Sequence, residues 1–88
     1  MDDERRRHPR QRVLKRGMLT FIGGGGIDCT VRNISISGAR IDVTSPVGIP
    51  DQFHLVIEAD QFIRRGRPVW SSDRQIGIAF DQSPIDSD

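Results

Sequence analysis

From residue 13 onward the chain alternates apolar and polar positions with a period of two, the pattern of strands that bury one face. Val13 to Ile22 predicts a first strand. Four consecutive glycines, Gly23 to Gly26, lack side chains to pack and lose the most entropy on ordering, so they predict a flexible hairpin loop. Ile27, Cys29 and Val31 alternate with Asp28, Thr30 and Arg32 in a second strand that runs into Asn33. Ala39, Ile41 and Val43 mark a third, ended by the two prolines and glycine of "SPVGIPD". Phe53, Leu55, Ile57 and Ala59 form the apolar face of a fourth. Phe62 to Trp70 reads as a fifth, irregular at Gly66 and Pro68 because proline in a strand implies an edge or a bulge. "SSDRQ" then turns the chain into Ile76, Ile78 and Phe80, and a polar tail from Asp81 is expected to fray.

No segment carries a helical period. Six short strands at regular spacing predict an all-β fold, a small six-stranded antiparallel barrel whose closure removes exposed edges. A chain of 88 residues holds one such domain, divided here into an arm (1–12), a barrel (13–80) and a tail (81–88). There is no apolar run of signal-peptide or membrane-spanning length, which predicts a cytoplasmic protein. Cys29 is the single cysteine, so no internal disulfide forms and no Cys/His cluster offers a metal site.

Charge changes the picture through its placement. The formal net charge is only +1, yet "RRRHPRQR", Arg5 to Arg12, holds five arginines in eight residues. The remaining eight Lys and Arg face nine Asp and Glu, leaving the body near neutral. A field concentrated on a short arm favours a compact anionic ligand. A pI near 8.0 is below that of a general nucleic-acid binder.

Two motifs stand out. Arg6 and Arg10 are separated by three residues, and "NISISG" sets Asn33, Ser35 and Gly38 at the spacing Asn-x-Ser-x-x-Gly between the second and third strands. Either alone is commonplace. In this order and interval they resemble the PilZ domain, the bacterial receptor for cyclic di-GMP, whose signature is an Arg-x-x-x-Arg arm followed by an Asp/Asn-x-Ser-x-x-Gly turn. Val69, Trp70 and the following "GIAF", Gly77 to Phe80, resemble the end of the PilZ barrel, so the similarity spans the chain. "DQSPIDSD" is too short and polar for the packed helix that many PilZ domains add after the barrel.

The resemblance implies a non-enzymatic receptor that binds cyclic di-GMP and signals to a protein partner, with no other cofactor. It assigns Arg6 and Arg10 to guanine and phosphate contacts, a task suited to the guanidinium fork. Arg5 is an additional candidate for stacking on a base. Asn33 and Ser35 offer short polar groups to base edges or phosphate oxygens, and Gly38 is expected to turn at positive φ or to let the backbone approach the ligand. Pro9 stiffens the arm and His8 faces a base or water. Ligand binding would order the self-repelling arm over the barrel.

Other features read more plainly. "GGGG" lacks the Lys-Ser/Thr and helix of a phosphate loop. Cys29 reads as a small core residue, His54 as outward-facing, Trp70 as core with a rim position as the alternative, and Arg64, Arg65 and Arg67 as a solvated basic edge with a partner or ligand wall as the alternative. The competing functions are a nucleic-acid-binding barrel and a ligand-independent interaction module. The first is disfavoured because four Phe, one Trp and no Tyr make no aromatic platform. No acid–base or metal constellation points to an enzyme.

Overall fold

A computed structural model of the chain describes residues 11–81. Six strands, β1 (Gln11–Thr20), β2 (Gly26–Ile34), β3 (Gly38–Asp42), β4 (Phe53–Ile57), β5 (Phe62–Ser71) and β6 (Gln75–Phe80), form a closed antiparallel barrel. Around the barrel the order is β1-β2-β3-β6-β5-β4, with β4 returning to pair with β1. The long loop after β3, residues 43–52, therefore carries the chain across to the far side of the barrel.

The period-two faces fold as their sequence indicates. Val31, Ile41, Phe53 and Leu55 are fully buried, and Ile76, Ile78 and Phe80 close the core from β6. Cys29 is buried among them, where desolvation foremost, and then the charge of Asp28, push its thiol up to about 12, so it stays protonated and inert.

Differences lie at the strand ends. Gln11 and Arg12, assigned to the arm, are already in β1 opposite Ile34 and Asn33. The hairpin loop after β1 covers residues 21–25, so Phe21 and Ile22, expected in the first strand, belong to it and Gly26 does not: the Phe21 N–H donates to the Gly25 carbonyl, Gly24 and Gly25 take positive φ, and Gly26 at the start of β2 pairs with Thr20 of β1. β4 stops at Ile57 because a single 3-10 turn, Glu58–Asp60, follows it, so Ala59 is exposed rather than core. In β5 Gly66 pairs regularly with Phe53 and Phe80, and the irregularity falls between Pro68 and Trp70. Pro68 lies past the last β4 partner, where its missing N–H breaks no pairing on that side. Asp81 does not fray: its N–H donates to the Arg65 carbonyl (2.9 Å), and its carboxylate accepts from Arg65 Nε at 2.7 Å.

On the outer face the Asp42 carboxylate joins three strands, accepting from Gln75 Nε2 of β6 at 2.9 Å and from Arg32 of β2 at 2.8 Å. The Gln75 hydrogen bond foremost, with help from Arg32, holds its carboxyl below the ordinary value.

Ile41→Ala is expected to lower stability by about 2–5 kcal/mol, read as a reduced urea midpoint at unchanged m-value. Because the native pKa of Asp42 is depressed, its stabilisation is present above the ordinary carboxylate value and is lost as pH falls through the native one. Asp42→Asn should therefore flatten the acid side of the stability–pH profile, measured by thermal unfolding between neutral and acidic pH.

Candidate ligand-binding face

The turn Asn33–Gly38 is locked by its own backbone and by Ser35. The Ser35 N–H donates to the Gly38 carbonyl at 2.8 Å, and the Ser35 hydroxyl accepts from the N–H groups of Ser37 (3.2 Å) and Gly38 (3.3 Å). It also meets the Ser37 hydroxyl at 3.2 Å. A serine side chain closing a tight turn in this way substitutes for a backbone turn bond. The turn is anchored to β6 by the Phe80 N–H, which donates to the Ser37 carbonyl at 2.9 Å.

Gly38 does not take positive φ; among the described glycines only Gly24, Gly25 and Gly48 do. Its requirement is steric. A Cβ at Gly38 would collide with the Ile78 carbonyl oxygen and lie 3.3 Å from the carbonyl carbon, so only glycine lets β3 pair this closely with β6.

Asn33 owes its orientation to a β-bulge. Val31 pairs with Ile41 and Asn33 with Arg40, so Arg32 is an extra residue on β2. Arg40 lies between buried Ala39 and Ile41 and so faces outward, and Asn33 opposite it shares that face. Asn33 is nevertheless 9% exposed, and its Oδ1 has no hydrogen-bond partner among the described residues; neither does the buried Nε of Arg40. Among the described residues, an acceptor and a donor thus lie without partners on directly opposed positions. Each such atom costs about 1–3 kcal/mol if nothing meets it.

The register extends this pair into a row. Arg12 of β1 is opposite Asn33, Arg40 is opposite Gly77 of β6, and Gly77 is opposite Trp70 of β5. The next row on the same face is Gly38, Ala79 and Arg67. Gly38, Gly77 and Ala79 make a floor almost without side chains, rimmed by Asn33, Arg40, Trp70 and Arg67. Trp70, expected in the core, is 46% exposed instead, because the bulge after Pro68 turns it onto the outer face. Arg65 and Arg67 face Asp81, at 2.7 and 3.8 Å, while Arg64 lies 5.1 Å over the Phe80 ring, so these arginines form no strand edge.

Of the residues singled out from sequence, the fold brings Asn33, Ser35 and Gly38 together beside the start of β1. Arg5, Arg6 and Arg10, with His8 and Pro9, lie outside the described residues. Arg40 and Gly77 were not picked out as site residues. Arg40 had a signal, since it stands two residues after Gly38 and so shares its face; Gly77 gains meaning only from its cross-strand partner. Among the described residues no cluster of His, Cys, Asp or Glu could hold a metal ion, and no helix is long and apolar enough to cross a membrane.

The closed six-stranded barrel belongs to a recognisable class of β-domain. The family model described as PilZ domain matches residues 4–88, and the chain belongs to that family. Among solved structures it is similar to the PilZ domain with c-di-GMP of YcgR from Escherichia coli, with a TM-score of 0.72 and 13% identity over 92% of this chain and 82% of that one. No curated protein matches the chain.

Without any ligand, Gly38→Ala should lower the melting temperature, the overpacking being equivalent to about 1–3 kcal/mol. Ser35→Ala should cost about 0.5–1.5 kcal/mol through the lost turn bonds. Both are checked by calorimetric unfolding of the ligand-free protein.

Proposed function

We propose that this domain is a receptor for cyclic di-GMP, which it binds on the outer face of β2, β3 and β6 and reports to a protein partner. The observation that carries this reading is that Asn33 Oδ1 and Arg40 Nε have no hydrogen-bond partner among the described residues, beside the strand into which the arginine arm leads. A cyclic dinucleotide supplies both donors and acceptors through its guanine edges, and its two phosphates match the arm's charge. The ligand bound by the similar YcgR domain and the family's two motifs support the same assignment.

In this reading Arg6 and Arg10 clamp the ligand through guanine and phosphate, Arg5 stacks on a base, and Asn33 meets a base edge. Ser35 and Gly38 act chiefly by fixing the turn and presenting its backbone, since the Ser35 hydroxyl is already engaged within it. Binding neutralises the arm and orders it over the barrel, and the altered surface is what the partner reads. Such coupled ordering costs about 2–5 kcal/mol, so micromolar affinity near −8 kcal/mol requires several good contacts. Nothing in the site calls for bond-making chemistry.

The test is calorimetric titration with cyclic di-GMP, with GTP and a single-stranded oligonucleotide as controls at two salt concentrations. Selective, saturable binding is expected, weakened roughly tenfold to a hundredfold by Arg6→Ala or Arg10→Ala. Wild-type affinity in both variants would remove the arm from the site. Binding of the oligonucleotide alone, lost steeply with salt, would make the arm a general polyanion contact.

A further inference from the structure

We propose that the outer face of β1, β4 and β5 is a homodimer interface, covered in solution by the same face of a second copy of this chain. The inference does not depend on the cyclic di-GMP reading, because in the closed order β4 and β1 lie across the barrel from β3 and β6.

Met18 of β1 is opposite Val56 of β4, and Val56 is opposite Ile63 of β5, so three apolar side chains form a row on the outside of the sheet. Leu14 and Ala59 line a groove together with Met18 and Val56. Leu14 is 74% exposed, Ile63 63% and Met18 41%. Contiguous exposed apolar surface of this kind marks a site of association. Two flanking charges are already matched within the chain, Lys15 by Asp60 and Arg65 by Asp81, each at 2.7 Å.

Arg16 and Glu58 identify the occupant. Arg16 stands two residues before Met18 and Glu58 two residues after Val56. Because β1 and β4 are antiparallel, both fall on the same side of the apolar row, and both line the groove. Both are exposed, and among the described residues neither forms an ion pair. A partner surface of a single sign would match one and repel the other. A two-fold axis parallel to the strands, between β1 and β4, satisfies both. It lays β1 of each copy over β4 of the other, so that Met18 meets Val56 and Arg16 meets Glu58, each contact occurring twice. Sheet faces pack with strands nearly aligned at about 10 Å, a spacing that such side chains span. Asp28, opposite Met18 on β2, comes level with Ile63 of the other copy only where two closed barrels curve apart, so its carboxylate keeps its water. The row crosses three strands at about 4.8 Å each, a footprint below the ~800 Å² per partner of a standard interface, so the dimer dissociates on dilution. Each copy keeps the face of β2, β3 and β6 turned outward, and the dimer presents two such faces on opposite sides.

Sedimentation equilibrium of the full chain over a wide concentration range is expected to show monomer and dimer in exchange. Met18→Glu should weaken dimerisation roughly tenfold or more. Arg16→Glu leaves two anions at the cross-copy pair and Glu58→Arg leaves two cations, so each variant alone should lose self-association. An equimolar mixture of the two should form a heterodimer at least as tight as the wild-type dimer, since every acidic position then meets a basic one. Thermal unfolding of each variant alone confirms that it folds.

Monomer at every concentration overturns the proposal and leaves the face to a different protein. A dimer indifferent to Met18→Glu overturns it by placing the interface elsewhere. Folded variants that stay monomeric when mixed overturn the pairing of Arg16 with Glu58. Cyclic di-GMP binding, measured in parallel by calorimetry, is expected to be unchanged in Met18→Glu, so the receptor reading and this one stand or fall separately.

Discussion

Everything on the outer face depends on how closely β3 and β6 pair. These two strands are distant in sequence and meet only because the barrel closes, and at their junction the backbone leaves no room for a Cβ at Gly38. That proximity draws the Asn33–Gly38 turn onto β6 through the Phe80 N–H. It also sets Arg40 opposite Gly77 and leaves a floor low enough for Trp70 to lie down on it. A bulkier residue at Gly38 would open the seam and disperse the rest.

The face is polar in an unusual way. Asp42 gathers Arg32 and Gln75, and Asp81 gathers Arg65, so much of the outer charge is already matched. Asn33 and Arg40 differ in that each has a buried side-chain atom with no hydrogen-bond partner among the described residues. A satisfied network rigidifies a fold, while an unsatisfied one carries a standing cost that a complementary ligand removes. In the proposed receptor, the barrel would hold these polar atoms in fixed positions, and affinity would come from that preorganisation rather than from a deep cavity.

Much of the barrel was legible because Ile27, Cys29, Val31 and their counterparts keep strict alternation, and burial of one face fixes the register that alternation implies. Strand ends were less legible. Ala59 continues the apolar rhythm of β4, but the chain turns at Glu58–Asp60 to reach β5, and a local turn overrides the pattern. Trp70 misled for a different reason: its apolar bulk suggests the interior, and only the bulge after Pro68 reveals its outward position. The Asn33, Ser35 and Gly38 spacing marked the turn between β2 and β3, but not the reason for Gly38, whose constraint is not a positive φ and comes from Ile78, forty residues away in sequence. Cross-strand neighbours such as Arg40 and Gly77 are a property of pairing, which one sequence does not display.

The bulge in β2 acts as a frameshift in the sheet's geometric reading frame. Counting by twos from Ile27 through Cys29 and Val31, the next inward position is Asn33, and an unbulged strand would drive its amide into the hydrocarbon core. Arg32, as the supernumerary residue, shifts the count by one, so that Asn33, though still buried, turns to the outer side of the sheet with Arg40, and Ile34 packs against the core. The same six letters, "NISISG", set into a regularly paired strand in this phase, would spell a buried polar defect. Which side of the sheet such a string presents its amide to is therefore decided by the parity of the residues in front of it.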